Sequence, residues 1–94
     1  MKHRPRLDSN QPAIVAGLRK AGCSVQSLAS IGKGCPDILA GSQSQNYLFE
    51  IKDPSKPRSK QKLTDDEQMW HIGWLGEVRV IHTLDEALRI MGLI

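Results

Sequence analysis

The apolar run Ile38-Leu39-Ala40 and the strand-like Asn46-Tyr47-Leu48-Phe49-Glu50-Ile51-Lys52 are separated by Gly41-Ser42-Gln43-Ser44-Gln45, and nothing else in the chain constrains its fold as tightly. Flanks rich in Ile, Leu, Phe and Tyr around a spacer of turn formers read as a β-hairpin. In the second strand, residues 46–52, side chains alternate between faces. Phe49 and Ile51 therefore share one face, while Glu50 and Lys52 share the other. With Asp37 opening the first strand, its carboxylate meets Glu50 across the hairpin, and two acids and one lysine surround a single point.

That combination suits a divalent cation. Mg²⁺ takes oxygen ligands in near-octahedral geometry, usually one or two carboxylates with waters and substrate oxygens. Asp37 and Glu50 are the expected ligands, and the backbone carbonyl of Ile51 offers a third protein oxygen. An ammonium beside such a centre can orient a nucleophile and offset charge developing on a phosphodiester, which is the role expected of Lys52. Taken alone, Glu-x-Lys on a strand is an ordinary ion pair on a solvated face. Only the full constellation carries the chemical reading.

Pro36-Asp37, twelve intervening residues and Glu50-x-Lys52 together resemble the PD-(D/E)XK nuclease superfamily. The wider context is similar to the VRR-NUC family in its short stand-alone form, often carried by bacterial viruses. It comprises Gly32-Lys33-Gly34-Cys35-Pro36-Asp37, Phe49-Glu50-Ile51-Lys52, Leu63-Thr64 and Gln68. The resemblance covers nearly the whole chain. It implies a restriction-endonuclease-like αβββαβ core, a Mg²⁺ or Mn²⁺ cofactor and endonucleolytic hydrolysis of DNA. It also implies a homodimer and a preference for branched duplexes such as four-way junctions. Gln68 would reach towards Lys52 or the substrate. Gln11 stands where some relatives carry a glutamate ligand on the first helix; capping-box partner of Asp8 is its other reading.

The chain has 94 residues, enough for one domain with a marginal core that a second subunit would help. Hydrophobic residues make up 39% and charged residues 24%, ordinary for a globular chain, and no apolar run is long enough to span a bilayer. The basic start, Lys2, His3, Arg4 and Arg6, has no apolar stretch behind it, so a cytoplasmic protein is expected. Cys23 and Cys35 then stay thiols, and their spacing matches no zinc motif. No organic cofactor is expected.

The net charge of +3 matters less than its distribution. Besides the basic arm at residues 1–7, Lys52, Lys56, Arg58, Lys60 and Lys62 form a second cluster that begins inside the expected site. Alone it would be a solvated face; beside two acids and a lysine it reads as a phosphate contact, with Lys33 a further one or simply an exposed loop residue. Aromatic residues are only 4%, few platforms for unpaired bases, which points to duplex backbone as the ligand.

In chain order, residues 8–21 read as a helix capped by Asp8, Ser9 or Asn10, ended by Gly22, with Gln11, Ile14, Val15 and Leu18 on its buried face. Residues 23–28 read as a weakly alternating strand. Residues 53–63 read as a mobile basic loop, given two prolines and four basic residues. Thr64 and Glu67 form a capping box that starts a helix over residues 65–74, whose Met69, Trp70, Ile72 and Trp74 exceed what one sheet contact buries. Residues 77–82 read as a strand, and Thr83 with Glu86 as a second capping box opening a last helix. His71 and His82 read as satisfied structural histidines. The expected function is a metal-dependent, structure-selective DNA endonuclease. The alternatives are a nuclease acting on another DNA structure, and a module that binds nucleic acid without cleaving it.

Overall fold

The computed structural model describes residues 10–94, so the basic arm and the caps Asp8 and Ser9 lie outside the described residues. The elements are α1 (Gln11–Lys20), β1 (Ser24–Ser27), β2 (Ile38–Ser42), β3 (Gln45–Ile51), α2 (Arg58–Gln61), α3 (Asp65–Gly73), β4 (Arg79–Ile81) and α4 (Leu84–Ile90). The four strands form one sheet in the order β1-β2-β3-β4. The first two pairings are antiparallel and β3 pairs with β4 in parallel, so the sheet is mixed, as expected from the sequence. The parallel step follows from the chain crossing over through α2 and α3 between β3 and β4.

The apolar face of the sheet carries Ile38, Ala40, Phe49, Ile51 and Ile81, all fully buried. Ile14 and Leu18 of α1, with Ala87 of α4 and Met91 just beyond it, close the core over that face. Ile14 and Leu18 are four residues apart, the spacing that aligns side chains on one side of a helix. Gln11 continues their stripe and is buried too, as the periodicity predicts.

Several boundaries differ from the sequence reading for local reasons. The hairpin spacer is two residues, not five. Gln43 and Ser44 take φ of 52° and 65°, while Gly41, Ser42 and Gln45 pair in the strands. Two successive left-handed residues match the twist of the flanking strands, which favours the shorter turn. Asn10 precedes α1 without capping it; its side-chain amide instead donates to the carbonyls of Lys52 (3.3 Å) and His82 (3.0 Å). The helix start is thereby tied to the ends of β3 and β4. The basic loop holds a helical turn, α2, and Gln61 closes it by donating to Lys56 O at 2.7 Å.

The capping box of α3 is complete, but that of α4 is half made. Thr83 Oγ1 accepts from Glu86 N, yet Glu86 Oε2 turns one residue further, to His82 N at 3.1 Å and His82 Nδ1 at 3.2 Å. β4 is shorter than expected, pairing with β3 only at Phe49, Glu50 and Ile51. Both cysteines are free thiols, Cys23 buried and Cys35 half-buried. Among the described residues no helix is long and apolar enough to cross a membrane.

Candidate active site

The site forms where β3 outruns β2. Pairing of β2 with β3 starts at Ile38 opposite Phe49, and just outside it the Asp37 N–H donates to Phe49 O at 3.0 Å. Extending that register puts Asp37 opposite Glu50 and Pro36 opposite Ile51. Ile51 therefore lacks a strand partner on this side, and the Asp37 carboxylate supplies one: Oδ2 accepts from Ile51 N–H at 2.6 Å. A carboxylate bonded to backbone this way is held in place before any ligand arrives.

Glu50 and Lys52 share the opposite face from Phe49 and Ile51, as alternation requires. They are not solvated: Glu50 is 2% exposed and Lys52 6%. The lid over them is the first turn of α3. Lys52 Nζ donates to Glu67 Oε1 at 2.8 Å and stands 3.7 Å from Glu50 Oε2. Glu67 Oε1 also accepts the Thr64 N–H at 2.9 Å, closing the α3 capping box, so one side chain both caps the helix and clamps the lysine. Glu67 is the residue that sequence reasoning missed. Its capping role was legible, but its reach to Lys52 depends on where α3 lands.

Charge and burial pull the three acids apart. Burial, followed by the neighbouring Asp37 and Glu67 carboxylates, pushes the Glu50 carboxyl up to about 10. Burial also acts to raise Glu67, but the Lys52 ammonium, the Thr64 amide and Glu50 outweigh it and hold Glu67 below the usual carboxylate range. Lys52 is therefore neutralised chiefly by Glu67, while Glu50 keeps a proton. Cys35 belongs to the same corner: burial, then Glu50 and Asp37, raise its thiol.

The other expected residues divide between this corner and the surface. Gln11 is 3% exposed, with its Oε1 buried and unpartnered among the described residues, on the first turn of the helix that Asn10 ties to Lys52. Its alternative as the capping partner of Asp8 lies outside the described residues. Gln68 is exposed and donates to Leu63 O at 3.2 Å, so the structure does not bring it to Lys52. Lys33, Lys56, Arg58, Lys60 and Lys62 are all exposed. His82 is satisfied by Glu86, whereas His71 has a buried Nε2 without a partner among the described residues, in place of the satisfied ring expected.

A divalent cation fits this corner only as one with few protein ligands. Among the described residues Glu50 Oε1 is buried with no hydrogen-bond partner, and two carboxyls lie close enough to need a proton or a cation between them. In extended backbone the carbonyl of a residue points to the same side as its own N–H, which turns Ile51 O towards Asp37. Among the described residues no group of three or more His, Cys, Asp or Glu side chains is set to hold a metal ion, so water and substrate oxygens would complete the shell, as is usual for Mg²⁺. Comparison with known protein families, with curated proteins and with solved structures gives no match.

Proposed function

We propose that the chain is a metal-dependent endonuclease of branched duplex DNA, with the VRR-NUC-like motif as its active site. The observation that carries this reading is the buried Glu50 carboxyl packed against Asp37, with the Lys52 ammonium 3.7 Å away. Asp37, Glu50 and the Ile51 carbonyl would hold Mg²⁺ or Mn²⁺. A cation held there supplies positive charge to the scissile phosphate and acidifies water. Lys52 orients the attacking water and offsets charge on the phosphate oxygens. Glu67 holds the Lys52 ammonium in place, and Gln11 supports the site from α1. The exposed bases Lys56, Arg58, Lys60 and Lys62, with Lys33, contact backbone phosphates, which gives affinity without base sequence.

Cleavage of duplex, flap, single-strand and four-way-junction DNA, with Mg²⁺ and with chelator, is the test. Lys52→Ala should reduce Mg²⁺-dependent cleavage by about 10²–10³ while leaving DNA binding nearly intact, the usual scale for removing one charge-stabilising group. Equal activity in Lys52→Ala and Asp37→Ala proteins would dismiss the enzyme in favour of a binding module.

The same proposal includes a homodimer that presents two sites to two strands. It is supported by the outer side of α3 and its exit, where Met69 and Ile72 are 69% and 77% exposed and Leu75 is fully exposed. Sedimentation at micromolar concentration should show a dimer that Ile72→Glu separates; a fully active monomer would count against it.

A further inference from the structure

On the sheet face that bears Glu50 and Lys52, α3 covers one end and leaves the other as an apolar groove of about 640 Å³. Leu39 and Leu48, which pair across β2 and β3, form its floor, Leu28 one side, and Trp70 and Trp74 its α3 wall. The volume falls within the range of small-ligand sites, about 300–1,000 Å³. The two indoles stack on each other with centroids 4.6 Å apart and planes 17° from parallel. Two of the four aromatic side chains of the protein are thus concentrated at one place, although the overall aromatic content is low.

The groove is continuous with the proposed catalytic corner. Leu48 is two residues from Glu50 on the same strand face, and Cys35 both lines the groove and feels the Glu50 and Asp37 carboxyls. Among the described residues no lysine or arginine lines it; its polar side chains include the Asn46 amide and the Glu77 carboxylate, the latter paired with Arg79 at 3.3 Å beside the groove. Among the described lining residues phosphate finds no cation. A flat, neutral, aromatic ring with donors on its edge is matched by it, since indole faces stack on any base and a carboxylate or amide oxygen accepts from ring N–H and exocyclic amino groups.

We infer that the groove between α3 and the β2-β3 floor binds one unpaired nucleobase of the DNA whose backbone lies at Asp37, Glu50 and Lys52. The inference rests on the proposed nuclease reading and deepens it: the branch is recognised by the unstacked base it offers, not by backbone shape alone. A second copy of the chain has the outer α3 surface at Met69, Ile72 and Leu75 available instead, turned away from the groove-lining indoles.

The test uses Lys52→Ala protein in Mg²⁺, expected to bind while cutting about 10²–10³-fold more slowly, and two DNAs, a duplex with one bulged 2-aminopurine and its fully paired counterpart. The bulged DNA should bind more tightly, and its fluorescence should fall on binding as the base stacks on indole. Trp74→Ala, at a side chain already 46% exposed, should weaken bulged binding by about 10–100-fold and leave paired binding unchanged. Unquenched fluorescence, or a bulge preference that survives Trp74→Ala, overturns the inference. So does a Trp74→Ala effect that is equal on both DNAs and accompanies loss of the dimer, which would assign the groove to a second copy. Those results leave the nuclease standing if wild-type cleavage still needs Mg²⁺ and Lys52; binding of neither DNA overturns both readings.

Discussion

Glu50→Gln should raise the melting temperature at about pH 8 while bringing Mg²⁺-dependent cleavage to the detection floor. The Glu50 carboxyl sits at about 10 in the folded protein against an ordinary value of 4.5. Between those values the unfolded chain has released its proton and the native state retains it. Native stability is then fullest below about 4.5 and declines as pH rises towards about 10. Glutamine removes that decline, because it fills the same space with nothing to ionise. For a domain of this size each ~1 kcal/mol relieved raises the midpoint by about 4–8 °C. Glu67 has the opposite sign: its depressed carboxyl stabilises above its unfolded value and loses that contribution in acid, so both proteins should share the acid limb. Mn²⁺ or Mg²⁺ should stabilise wild type increasingly as pH rises, since binding must displace the Glu50 proton, and should not stabilise Glu50→Gln. Thermal scans across pH, with and without cation, read all of this. A Glu50→Gln protein less stable than wild type throughout, yet still stabilised by cation, would contradict the site.

Local chemistry made much of the fold legible. The period-2 pattern through Phe49, Glu50, Ile51 and Lys52 fixed which residues share a face, and Thr64 and Thr83 marked the starts of α3 and α4. Where the reading slipped, the deciding partner lay far along the chain. Asn10 was a natural N-cap, but the carbonyls of Lys52 and His82 offered its amide two acceptors at once. The two-residue turn lacks a glycine at Gln43 and Ser44, so its left-handed pair carried no composition signal.

The site was half legible for the same reason. Asp37, Glu50, Ile51 and Lys52 sit on or next to the ends of two paired strands, whose register converts sequence spacing into distance. Helical residues have no such ruler. Gln68 and Glu67 are neighbours in the first turn of α3, and which of them faces Lys52 depends on the rotation of the helix on the sheet. The structure turns Glu67 in and Gln68 out. Glu67 could have been suspected on one ground, that a buried lysine beside a protonated acid requires a second anion.

Gly34 lies directly against the first turn of α3, and Gly34→Ala is expected to cost the fold about 2–5 kcal/mol, combining a left-handed backbone penalty of roughly 1–2 with overpacking of roughly 1–3. Gly32, Lys33 and Gly34 all take positive φ, 71°, 54° and 82°, which curls the loop before Asp37 back against α3. A Cβ on Gly34 would overlap the Asp66 carbonyl and stand 2.8 Å from Glu67 N, and helix backbone cannot yield as a side-chain tip can. The methyl must push the first turn of α3 off the loop, taking Glu67 away from Lys52 and loosening the wall that Trp70 and Trp74 make. Gly32→Ala is the matched control, because it bears the same backbone penalty at φ 71° with nothing within 4 Å of the added atom. Denaturant unfolding should rank wild type above Gly32→Ala and that above Gly34→Ala. Under the nuclease reading, cleavage measured well below the midpoint should fall in Gly34→Ala alone. If the two alanine proteins prove equally stable, α3 is not seated on this loop, and Glu67 must find Lys52 by some other route.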